Sequence, residues 1–233
     1  MVIFSKLYQF LNFFNNFSSF FNFNSTIITD PLIINNVLIK CFYLSKISYL
    51  PYDNLIYNNI DEFKNNLINY YDAIKISNQY TYAYMWYVNN IIYISFRGTN
   101  NVGDIIADSK IIFKHFNDIY KTKVESEISK SDACKVETEA TSKVHTGFLE
   151  QFIAVEKLIS NDIDKILKLN NNNIDTIIFT GHSLGGAVST IASLFYNIKY
   201  ENKIKIKNIT FGSPKVGNEI FTNLYNSSNI IES

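Results

Sequence analysis

The chain has 233 residues, enough for one domain with a buried core, and 47% hydrophobic against 18% charged residues exclude a disordered polymer. Lys and Arg together number 21, as do Asp and Glu, so there is no net charge and no electrostatic footprint for nucleic acid. Cys41 and Cys134 are too few for a disulfide framework, and with His115, His145 and His182 they show no metal-ligand spacing, so no metal is expected.

Residues 1–24, MVIFSKLYQFLNFFNNFSSFFNFN, are aromatic but interrupted every few positions by Asn, Ser or Gln. They form neither the unbroken apolar core of a secretory leader nor a membrane span of about twenty residues, and the expectation leans towards an intracellular protein. Phe10, Phe13, Phe14, Phe17 and Phe21 share one helical face. That face suits a helix packed over the core, or one dipping its rings into a lipid surface, although the polar face lacks the usual Lys and Arg.

Asp30-Pro31 starts a helix, Asp as cap and Pro in the first turn, predicted to run to about Ser45 with Leu32, Ile33, Val37, Leu38 and Phe42 inward. Residues 61–71 read as a second, more polar helix. Residues 81–88 (TYAYMWYV) and 91–96 (IIYISF) are two β-rich runs joined by Asn89-Asn90, which predicts a hairpin. Residues 121–143 are polar, charged and rich in Ser and Thr, as in an inserted surface loop. A long helix follows over about 148–169, with Phe152, Val155, Ile159, Ile163 and Ile166 inward, and residues 170–173 make a turn.

Residues 176–187 read TIIFTGHSLGGA: a β-branched strand, a glycine-rich turn, and a helix with Ala187, Ile191 and Leu194 on one face. Such a reversal pushes Ser183 towards positive φ, so the residues two before and two after it must be nearly free of side chain, and they are Gly181 and Gly185. Gly186 lets the helix approach its neighbours. The Ser183 hydroxyl would project outward with the Leu184 N–H, in the first helical turn, free to donate to an oxyanion. Neither of the common phosphate-loop patterns is present. Beyond it, KIKIKNITF over 203–211 alternates Lys outward with Ile inward as a strand; residues 219–225 form a short helix and 229–231 open another strand.

Four stretches, FRGT over 96–99, HTGF over 145–148, GHSLGG over 181–186 and GSPKVGN over 212–218, come in an order and at distances that resemble the class 3 lipases, the fungal triacylglycerol lipase-like branch of the α/β-hydrolases. The resemblance covers about Phe42 onward. It implies a mostly parallel sheet flanked by helices, lacking its last strands, in a single lipase-like domain over 1–233 with 1–30 as an N-terminal extension.

It also implies a serine ester hydrolase acting on lipid esters, with no cofactor, Ser183 as nucleophile, and the amides of Thr99 and Leu184 as oxyanion hole. Asp108 would anchor the Thr99 hydroxyl. Val102, Ile105 and Ile106, in NNVGDIIA over 100–107, fall at the family's lid, with lipid-interface contact as its corollary. His145 matches a family histidine that is structural. The family's acid follows the strand opening near Ile230 and its histidine comes later, so both would fall beyond Ser233; Glu232 is the only carboxylate nearby. Three readings stay open: a truncated lipase, an inactive relative that binds lipid or membrane surfaces, or a site that borrows His145 or His115.

Overall fold

The computed structural model describes residues 37–49, 74–77, 81–88, 90–98, 112–117, 141–171, 173–201 and 203–232. The chain divides into two compact units, Met1–Lys40 and Cys41–Ser233, and apart from the first turn of one helix all described elements belong to the second. The aromatic face of 10–21, the Asp30-Pro31 helix start, the helix over 61–71 and the loop up to residue 140 lie outside the described residues.

Among the described residues six strands form the central sheet, in the order β1 (Ile74–Ser77), β2 (Tyr82–Val88), β3 (Ile91–Phe96), β6 (Thr176–His182), β7 (Lys205–Phe211) and β8 (Ile231–Glu232). The β1–β2 and β2–β3 pairings are antiparallel; β3–β6, β6–β7 and β7–β8 are parallel. The hairpin is as read, Val88 facing Ile91 across the turn, with Asn90 at φ 62°, a left-handed position that asparagine tolerates. A second, two-stranded sheet pairs β4 (Phe113–His115) with β5 (Lys143–His145), and it went unread because three-residue strands carry no periodic signal.

The strand pleat divides the molecule. Ile92, Ile94 and Phe96 of β3, with Ile177 and Phe179 of β6, join the core beneath α2 (Thr146–Leu169) and α3 (Leu184–Tyr200). The five residues expected inward on α2 and the three on α3 are all buried. Where α2 meets α3, Ser160 donates to Glu156 (2.7 Å), accepts from Lys199 (2.9 Å) and lies 3.0 Å from the Tyr196 hydroxyl, so polar contacts set the helix pairing where apolar ones alone would allow sliding.

Alternate residues of the same strands face α1 (Val37–Ile47), and here the sequence reading needs correction. The helix runs two residues past Ser45, and its buried positions are Cys41, Leu44, Ser45, Ile47 and, just after it, Ser48, whereas Val37, Leu38 and Phe42 are only half-buried. Periodicity of apolar residues misses this face because the surface beneath it is polar. Ser45 Oγ pairs with Thr180 Oγ1 at 3.0 Å, and Ser95 Oγ donates to the Leu44 carbonyl at 3.1 Å.

Candidate active site

β6 ends at His182 and α3 begins at Leu184, so the whole reversal is made at Ser183, with φ 56° and ψ −122°. Positive φ on a non-glycine residue is a strained conformation that packing must enforce. The enforcement is visible in the glycines. A Cβ on Gly181 would strike the Gly185 carbonyl, and one on Gly185 would strike the Phe96 carbonyl of β3. A Cβ on Gly186 would stand 2.9 Å from Ser213 Cβ. The strand end, the helix start and the neighbouring strand therefore meet backbone to backbone. Gly185→Ala is expected to destabilise the fold by about 1–3 kcal/mol through overpacking, read as a lowered urea midpoint; an unchanged midpoint would mean that the Phe96 carbonyl has room to retreat.

Further contacts hold this turn from both sides. Ser183 N–H donates to the Phe211 carbonyl at 2.9 Å, and Thr180 Oγ1 donates to the Ile209 carbonyl at 2.7 Å. The Ser183 carbonyl accepts from Gly186 and Ala187. Among the described residues no hydrogen bond reaches the Ser183 hydroxyl, and none takes the Leu184 N–H, which sits where a helix leaves its amides unsatisfied. Thr99, Asp108, Val102, Ile105 and Ile106 lie outside the described residues.

The three histidines divide by environment. His182 points to the α1 side of the sheet, where its Nδ1 lies 2.9 Å from the Tyr49 hydroxyl, and burial pulls its pKa down to about 4. His145 caps α2: Nδ1 accepts from the Gly147 N–H at 3.2 Å while the ring stacks on Phe148, and burial lowers its pKa too. Its backbone N–H donates to the Val216 carbonyl at 2.9 Å. His115 stands exposed on β4.

GSPKVGN is the other half of that junction. Val144 of β5 bridges Gly217, where a Cβ would stand 2.5 Å from the Lys143 carbonyl. Asn218 caps α4 (Glu219–Asn226) by accepting from Phe221 N–H, accepts also from Lys143 N–H, and donates through Nδ2 to the Thr141 carbonyl. An Asn directly before a helix opening on Glu is a cap signature, so this residue was findable in the sequence. Tyr49 was not, because nothing local marks a tyrosine whose partner lies 133 positions away.

The family described as "Lipase (class 3)" matches residues 93–232. A secreted mono- and diacylglycerol lipase of Fusarium solani is 39% identical over 80 residues, 34% of this chain and 22% of that protein. A lipase of Rhizopus niveus is 31% identical over 144 residues, 60% of this chain and 30% of that protein. In both cases the match spans less than a third of the curated relative's length. The solved structure of lipase II from Rhizopus niveus superposes with a TM-score of 0.62 at 22% identity, covering 88% of this chain and 71% of that one.

Proposed function

The chain belongs to the class 3 lipase family, with the α/β-hydrolase fold, and on that premise we propose that it is a serine carboxylic-ester hydrolase acting on lipid esters. The observation that carries the proposal is the conformation of Ser183: held at positive φ between strand and helix, beside a Leu184 amide with no acceptor among the described residues.

Ser183 Oγ attacks the acyl carbonyl, and the carbonyl oxygen gains negative charge and accepts hydrogen bonds donated by the N–H of Leu184 and, from the family resemblance, by the amide and hydroxyl of Thr99. Asp108 orients the Thr99 hydroxyl, and Val102, Ile105 and Ile106 cover the acyl cleft between encounters with lipid. Collapse of the intermediate releases the alcohol and leaves an acyl-serine that water cleaves. The serine proton passes to an imidazole steadied by a carboxylate, which returns it to the leaving alcohol oxygen and then takes a proton from the attacking water; the family resemblance sets that pair after the strand opening near Ile230. His145 and His182 already serve as cap and as partner of Tyr49, so neither takes that part.

A fluorophosphonate probe reacts only with an activated serine, which makes it the direct test. The expected result is one adduct on the intact chain, mapped by peptide mass to the segment holding Ser183 and absent from Ser183→Ala. Silence on the folded protein would overturn the proposal in favour of a lipase-like scaffold that binds lipid surfaces without turnover.

A further inference from the structure

The end of α1 lies ahead of the matched span of the family, yet it touches the site. From Ser45 onward its polar groups fall on the ends of β3 and β6: Ser45 on Thr180, Ser48 Oγ on the Phe96 carbonyl at 3.4 Å, and Tyr49 on His182. Ser48 also donates to the Ser45 carbonyl at 2.7 Å, which closes the last turn and fixes where Tyr49 departs.

Gly98 completes the arrangement. A Cβ on this buried residue would collide with the Tyr49 hydroxyl and would stand 2.5 Å from the His182 carbonyl and 2.9 Å from Tyr49 Cζ. The hydroxyl is therefore wedged against Gly98 on one side and bonded to the His182 ring on the other. Only glycine leaves room for it. Burial raises the pKa of Tyr49 far above the usual phenol value, against a smaller pull downward from Arg97, and lowers that of His182. At neutral pH both groups are uncharged, and in the tautomer that carries its proton on Nε2 the phenol donates to Nδ1.

We propose that Tyr49 is a positioning residue for ester hydrolysis: its hydroxyl clamps Gly98, at the outlet of β3, to His182, the residue before the nucleophile. The clamp fixes the distance between the segment entering Thr99 and the segment carrying Ser183 and Leu184, which are the two sources of oxyanion donors in the proposed mechanism. The inference rests on that mechanism for its kinetic consequence and on the Tyr49–His182–Gly98 geometry for its existence.

Tyr49→Phe keeps the ring and removes only the hydroxyl. The expected result with a short p-nitrophenyl ester is a fall in kcat of about tenfold with KM within about twofold, because misplaced donors weaken the transition state more than ground-state binding. A melting temperature close to that of the unaltered chain would place the loss in the site. Unchanged kcat, or a loss confined to KM, overturns the proposal. Imidazole nitrogen resonances give an arm independent of turnover: His182 Nδ1 should move towards the position of an unbonded acceptor in Tyr49→Phe, with faster hydrogen exchange at Gly98. Failure of both to change overturns the clamp, whereas an unaltered chain that cleaves no ester overturns only the hydrolase reading.

Discussion

Ser183→Ala is expected to lower kcat/KM for a short p-nitrophenyl ester by about a thousandfold or more, while the melting temperature stays close to that of the unaltered chain. The two halves of this result have separate origins. The hydroxyl makes no hydrogen bond to any described residue, so its removal leaves no buried partner unsatisfied. Alanine at φ 56° is about as strained as serine, so the turn itself is neither relieved nor worsened. What disappears is the atom that would form the acyl bond. Equal turnover in the variant, with the fold intact, would remove Ser183 from the chemistry and leave only the scaffold.

The residual rate of that variant carries information as well. A site lacking its nucleophile but keeping preorganised donors still stabilises water attack on a bound ester, by an amount that one donor's loss reduces about a hundred- to a thousandfold. Combining Ser183→Ala with Tyr49→Phe therefore separates the serine's part from the alignment of donors.

The elements most legible in sequence were those whose signal is local. Gly181, Ser183 and Gly185 announce their turn because the steric demand at a positive-φ residue falls on its immediate neighbours, and the apolar spacing of α2 and α3 marked the buried faces of both. The polar underside of α1 was hidden for the opposite reason. Ser45 and Ser48 look like surface residues until Thr180 and the Phe96 carbonyl are placed beneath them, and those lie far along the chain. Likewise GSPKVGN could be recognised as a motif without its use being visible, since its work is to hold β5 through Gly217 and Asn218 across more than seventy residues of sequence.

His182 gives the fold an expected acid sensitivity that a single substitution isolates. Its imidazole titrates near 6.5 in an unfolded chain and, because burial penalises the cation, near 4 in the folded one. Between those values the unfolded state holds the extra proton, so stability rises with pH through the window: it is complete above about pH 6.5, declines towards pH 4 and levels off below. The contribution lost across the window is about 3 kcal/mol. Breakage of the Tyr49 contact is not the cause, since a tyrosine hydroxyl can turn to accept from a protonated Nδ1; the cost lies in placing charge where only 8% of the residue meets solvent. His145, whose pKa burial also lowers, weakens the fold in acid as well, but it is the same in His182→Gln, a variant that keeps polar atoms near Tyr49 and cannot titrate. Urea unfolding of both proteins at pH 7 and pH 4.5 should show the unaltered chain losing more stability than the variant by most of that amount. Parallel losses in the two would mean that His182 is hydrated in the fold, and with it the tight seat of Tyr49 against Gly98 would have to be abandoned.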